Sequence, residues 1–216
     1  MSNIIIDYDS TFIKLESLDE LSKLSKNNNI KVENKIIEIT NLGMEGKISF
    51  TESLQRRIKL INSDKDDIRK TISFLKKNIS NSFLSNKQFI KRNSKRIYIV
   101  SSGFHELIDP IVKEYGIKAQ NIYANNFTFK KNKIVGFDKK NPLSRSKGKV
   151  NIIKNLKLKG DIYVIGDGYT DFEIKKEGHA KYFYLFTENI KRESIVKSAD
   201  YLLKSLDEFI KNFKWK

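Results

Sequence analysis

Residues 3–14, NIIIDYDSTFIK, run apolar through Ile4, Ile5 and Ile6 and then place two carboxylates, Asp7 and Asp9, one residue apart. A short apolar run that stops at an acid reads as a buried parallel strand whose carboxyl end opens on a site. One half-desolvated carboxylate is costly, and a second beside it raises the pKa of one of the two unless a cation sits between them. The pair asks for a metal, a chemical task, or both.

Two other runs have the same form, RIYIVSSG at 96–103 and DIYVIGDG at 161–168. SLDELSKL after the first run has helical spacing. After the second, FHELIDPIVKEYGI spaces Leu107, Ile108, Ile111, Val112 and Tyr115 at helical intervals before Gly116 stops the pattern. This alternation predicts an α/β fold, a Rossmann-like doubly wound parallel sheet, with ligands beyond the carboxyl ends of the strands. Residues 14–80 break it, offering helical patterns and no convincing strand. They read as a small inserted helical subdomain, leaving 1–13 and 81–216 as the core. Within the insert, SFTESLQRRIKLI offers Ser49 as an N-cap with Glu52 three positions on, then sets Leu54, Ile58 and Ile61 on one face. The alternation around KKN between Asn121 and Phe137 reads as a β-hairpin.

The 216 residues suffice for one domain with a modest insertion. No apolar stretch reaches the eighteen or so residues needed to span a bilayer, and the N-terminus lacks the pattern of a signal peptide, so a cytoplasmic protein with no membrane partner is expected. The absence of cysteine removes disulfides, thiolate zinc sites and a cysteine nucleophile. A net charge of +16 invites a nucleic-acid reading, but the excess is spread along the chain, with Lys87–Arg96 its densest run. That spread favours a solvated surface over a nucleic-acid partner.

Four features fall at strand ends or in loops: DYDST at 7–11, SSG at 101–103, SKGK at 146–149 and GDGYTD at 166–171. In a doubly wound sheet the strand tips share one edge, so Asp7, Asp9, Ser101, Asp167 and Asp171 can meet around one pocket. Oxygen ligands of this kind suit Mg²⁺, which uses one or two carboxylates plus a substrate phosphate. Ser101, Ser102 and Gly103 are expected to open a helix whose free N–H groups favour a phosphate. Lys147 would add a point charge to the same group.

These motifs resemble the haloacid dehalogenase superfamily of phosphohydrolases, and within it the phosphoserine phosphatases. Asp7-Tyr8-Asp9-Ser10-Thr11 matches the first motif, Ser101 the second, Lys147 the third, with Lys149 the less favoured alternative, and Gly166 to Asp171 the fourth. The resemblance implies that Asp7 is the nucleophile and Asp9 the general acid and then base. It implies Mg²⁺ held by the side chains of Asp7 and Asp167 and the carbonyl of Asp9. Ser101, Ser102, Gly103 and Lys147 would bind the phosphoryl group, and Asp171 would orient the lysine or complete the metal's outer shell. MEGKISFTESLQRRIKLI at 44–61 is similar to that family's cap sequence. It implies Arg57 for a substrate carboxylate, Glu16 for an ammonium, and Met44 and Phe50 closing over a small substrate. The implied reaction is hydrolysis of L-phosphoserine, with a place in serine biosynthesis. The alternatives are another small phosphorylated metabolite, as hydrolysis or phosphotransfer, and a basic nucleic-acid-binding module on a phosphatase fold. Tyr169 and Thr170 stand where many relatives have Ala-Asn, and Ser102 replaces a common glycine. His105 and His179 lie outside all four motifs and read as structural.

Overall fold

The computed structural model describes residues 2–26, 29–44 and 47–213. Six strands form one sheet: β1 (Ser2–Ile6), β2 (Ile97–Phe104), β3 (Ile122–Asn125), β6 (Asp161–Gly166), β7 (Tyr182–Phe186) and β8 (Tyr201–Leu203). Their order is β3-β2-β1-β6-β7-β8, and every neighbouring pair is parallel. Such a sheet is covered on both faces, which is why all five residues of β1 are buried. Ile4 and Ile6 pack into one apolar cluster and Ile5 into the other, as the two-residue period of a strand requires.

The chain runs outward from β1 to β2 and β3, then crosses back to β6 on the other side of β1. The crevice between the tips of β1 and β6 is therefore the topological switch point, where open α/β sheets bind ligands. The register sets Ile6 opposite Ile165, and the amide of Asp7 donates to the Ile165 carbonyl at 3.0 Å. Asp7 and Asp167 thus leave the tips of adjacent strands within one residue of each other in register.

Between β1 and β2 the chain forms α1 (Ser17–Lys23), α2 (Ile30–Met44), α3 (Phe50–Leu60) and α4 (Lys65–Lys76), followed by α5 (Asn81–Ser85) and α6 (Lys87–Asn93). Ser49 caps α3 as expected, its hydroxyl accepting from the Glu52 amide at 3.2 Å. The ends of the α1–α4 excursion meet: the Lys14 amide donates to the Asn78 carbonyl at 2.9 Å and the Ser80 amide to Phe12 at 3.0 Å. Leu18, Leu54, Ile58 and Ile68 of these helices belong to the same apolar cluster as Ile4 and Ile6.

Three expectations change. The sheet has six strands where three were read, because β3, β7 and β8 carry no catalytic signature to single them out. Of the segment 121–137, residues Ile122–Asn125 join the parallel sheet, and the hairpin is β4 (Phe127–Lys130) with β5 (Lys133–Phe137). The helix after β2 is α7 (His105–Val112); Ser101, Ser102 and Gly103 are still strand. A left-handed Gly116, φ +79°, ends the short turn after α7. The remaining helices are α8 (Gly148–Leu156), α9 (Tyr169–Lys176), α10 (Glu193–Val196) and α11 (Leu206–Asn212).

Candidate active site

Asp7 ends β1 and caps the helical turn Tyr8–Phe12, its Oδ1 accepting from the Tyr8 amide at 2.7 Å. The other oxygen, Oδ2, lies 2.8 Å from the ammonium of Lys149. Lys149 is 3% exposed and also meets Asp171 Oδ1 at 2.8 Å, so one buried cation bridges two buried acids. Burial opposes its charge, but Asp171 and Asp7 hold Lys149 above the usual lysine value. Lys147, expected in this place, is corrected by the geometry. It is the left-handed residue at the start of α8, φ +58°, its ammonium 2.7 Å from Glu177 at the cavity rim. Two residues along a helix start turn a side chain from one face to another, and the first turn of α8 buries Lys149.

Asp171 sits in the first turn of α9, where its Oδ2 accepts from the Gly168 amide at 3.3 Å. A Cβ on Gly166 would overlap the Asp171 carboxyl, which is why glycine opens the GDG sequence. Asp7, Asp167 and Asp171 each present an oxygen within 4.8 Å of the others, all three residues buried. Burial and the charge of Asp7 push Asp167 up to about 6 against the pull of Arg192, and push Asp171 well above the usual carboxylate range. Three converging buried hard oxygens, with the pKa values of Asp167 and Asp171 raised by burial and their mutual crowding, are a fit for a divalent cation of the Mg²⁺ kind, which relieves this repulsion on binding.

Asp9 is half-buried, and its Oδ1 accepts from the Ser17 amide at 2.7 Å. Burial and the charge of Glu16 raise it well above the usual carboxylate range, so it carries a proton where a free aspartate would not. Ser10, left-handed at φ +53°, turns its hydroxyl to Glu16 Oε1 at 2.7 Å. Opposite Asp9, Ser101 is buried and its hydroxyl accepts from the Gly103 amide at 3.0 Å. A Cβ on Gly103 would come 3.0 Å from Asp9 Oδ2, so the glycine lets the β2 tip approach the acid.

These groups line a cavity of about 640 Å³. Phe50 and Arg57 of α3 line its far side. Arg57 is 8% exposed; its Nη1 lies 3.7 Å from Asp19 Oδ1 and 3.4 Å from the Thr40 hydroxyl, while its buried Nε has no hydrogen-bond partner among the described residues. Ser102 and Tyr169 are at the lining too, Tyr169 46% exposed with Lys176 above its ring. The Met44 side chain lies outside the described residues. His105 is structural here: Nδ1 meets Asp109 at 2.7 Å and Nε2 accepts from the Ala124 amide at 3.2 Å.

Arg192 was missed by sequence reasoning. It precedes α10, with Nε 2.8 Å from Asp167 Oδ2 and Nη2 3.5 Å from Glu16 Oε1. No motif marks it, since its partners are far away in the chain.

The sequence profile of the haloacid dehalogenase-like hydrolases matches residues 4–174. The phosphoserine phosphatase of Drosophila melanogaster is 31% identical over 216 residues, spanning 96% of this chain and 76% of the fly protein. The chloroplastic phosphoserine phosphatase of Arabidopsis thaliana is 29% identical over 212 residues, covering 96% and 70%. The crystal structure of a phosphoserine phosphohydrolase-like protein from Francisella tularensis superposes with a TM-score of 0.86 at 30% identity, covering 99% of this chain and all of that one (100%).

Proposed function

The chain belongs to the haloacid dehalogenase-like hydrolases as a phosphoserine phosphatase-like phosphoric monoester hydrolase, and from that premise we propose that its substrate is L-phosphoserine and its cofactor Mg²⁺. The single observation that carries the substrate is Arg57. Its buried Nε lacks a hydrogen-bond partner among the described residues, in a cavity shared with Asp7 and Lys149. A buried unpaired guanidinium donor is costly, and a substrate carboxylate would satisfy it. Glu16, on the same cavity, would take the ammonium, and Phe50 with residues 14–80 as a cap would exclude water.

In this reading a carboxylate oxygen of Asp7 attacks phosphorus as the bond from phosphorus to the serine oxygen breaks. Asp9 gives that oxygen its proton. Asp9, now a carboxylate, then takes a proton from a water that attacks phosphorus and frees Asp7, releasing phosphate. Lys149, Ser101 and the amides of Ser102 and Gly103 would hold the phosphoryl oxygens, and Asp171 would orient Lys149. Asp7, Asp167 and the carbonyl of Asp9 would hold Mg²⁺, which neutralises charge between the carboxylates and the phosphate.

The test compares phosphate release from phosphoserine, phosphoethanolamine and p-nitrophenyl phosphate. Arg57→Ala is expected to lower kcat/KM for phosphoserine by about 30-fold or more, as loss of a charge-assisted contact of about 2 kcal/mol implies, while sparing p-nitrophenyl phosphate. Glu16→Gln should depress phosphoserine and phosphoethanolamine together. Equal losses on all three substrates from both variants would refute the phosphoserine reading.

A further inference from the structure

Asp167 is held by two unequal contacts. Its Oδ2 receives the Nε–H of Arg192 at 2.8 Å, and its Oδ1 lies 3.3 Å from the Thr11 hydroxyl. Arg192 is itself held in place. Its loop is pinned by the Asn189 amide, which donates to the carbonyls of Ser10 at 3.1 Å and Thr11 at 3.3 Å and to the Ser80 hydroxyl at 2.7 Å. Its outer nitrogen reaches Glu16 at 3.5 Å. The guanidinium is therefore braced between two acids on a loop fastened to the segment that carries Asp9, and it occupies one oxygen of a cation ligand.

That placement has a consequence for which cation fits. A carboxylate with both oxygens open can bind bidentately, as Ca²⁺ readily accepts in its large and flexible shell; Mg²⁺ demands a near-octahedral shell and takes single oxygens. We propose that Arg192 is a metal-selectivity residue, a positioning group that engages Oδ2 of Asp167 and so presents this carboxylate to a divalent cation through one oxygen, favouring Mg²⁺ over Ca²⁺. The inference rests on the cation site of the proposed function and goes beyond it, since Arg192 touches neither substrate nor metal in this role. Groups behind a metal's ligands change its affinity by about 10- to 100-fold when removed.

The Coulomb part of the effect can be separated from the geometric part. Ca²⁺ and Mg²⁺ carry the same charge, so removing a nearby guanidinium strengthens both by a similar factor and leaves their ratio unchanged. Freeing Oδ2 strengthens only the ion that can use it.

The experiment is calorimetric titration of the EDTA-stripped protein with Mg²⁺ and with Ca²⁺, for wild type, Arg192→Met and Arg192→Ala, with Asp167→Asn marking the site. Met keeps the stem and removes every donor; Ala is read in its place if the Met chain does not melt cooperatively. The expected result is a Ca²⁺-to-Mg²⁺ affinity ratio raised about tenfold in the Arg192 variants, with wild-type folding by circular dichroism. A ratio within about twofold of wild type, with both ions still binding, overturns the role of Arg192 and leaves the cation site standing. Wild-type protein that binds neither ion, or binds them unaltered in Asp167→Asn, overturns the cation site and this inference together.

Discussion

Lys149 and Lys147 lie two positions apart and differ in every property that matters: one is 3% exposed between Asp7 and Asp171, the other 54% exposed beside Glu177. Removing one partner of a buried ion pair leaves an uncompensated charge, so Lys149→Met should cost about 3–5 kcal/mol of stability and abolish turnover. Lys147→Met should leave the melting temperature and kcat close to wild type. Thermal melts and phosphate release on both variants check this. Asp9 makes a second prediction at the same scale. Burial and Glu16 raise its pKa, so its carboxyl keeps its proton into a range where an ordinary aspartate has lost it. Turnover of an alkyl phosphate, which needs that proton, should fall as pH rises through the Asp9 pKa. Asp9→Asn should erase this limb, and the loss should be smaller for p-nitrophenyl phosphate, whose leaving group needs less help.

At the scale of elements, the site depends on two close approaches of backbone to carboxylate. The tip of β6 passes so near α9 that the Asp171 side chain fills the space above Gly166, and the tip of β2 passes Asp9 at Gly103. Gly166→Ala must push Asp171 from its contacts with Lys149 and the Gly168 amide, which hold the start of α9. The expected loss is about 3 kcal/mol or more, with no measurable turnover. Gly103→Ala meets only side-chain atoms at 3.0–3.2 Å, those of Asp9, Ile108 and Ser101, and none as close as Asp171 is to Gly166, so it should lower kcat with a smaller change in melting temperature. Urea unfolding of the two variants beside their rates distinguishes these outcomes.

Over the whole molecule, the buried acids couple stability to pH. Asp167 has its pKa raised from 3.8 to about 6, and Asp9, Glu16 and Asp171 are raised as well. A raised carboxylate pKa means that the folded state binds the proton more tightly than the unfolded one. The stabilisation is complete below pH 4 or so and is lost as pH rises through about 6. Metal-free protein should therefore lose stability between pH 4 and pH 7, with Asp167 alone contributing on the order of 2 kcal/mol. The slope should be shallower in Asp167→Asn, and Mg²⁺ should restore the wild-type protein at pH 7. Melting curves across this range, with and without EDTA, measure both effects.

The sequence by itself determined the fold class, because three apolar runs ending in small or acidic residues can be buried in little else than a parallel sheet. It also picked out the acids at their tips, since Asp7, Asp9, Asp167 and Asp171 break otherwise apolar or glycine-rich runs that have no other use for charge. Tertiary structure alone decided which lysine faces the acids, because a side chain's direction at the start of α8 depends on a left-handed turn at Lys147 that composition does not announce. It alone brought in Arg192, whose partners Asp167 and Glu16 are distant in sequence and adjacent only once β6 lies beside β1. It alone assigned Ile122–Asn125 to the main sheet, since a short alternating strand pairs with whatever edge is offered, and that edge was β2. Local pattern specifies which residues must be buried or charged; the partners of each charge follow from the packing of segments far apart in the chain.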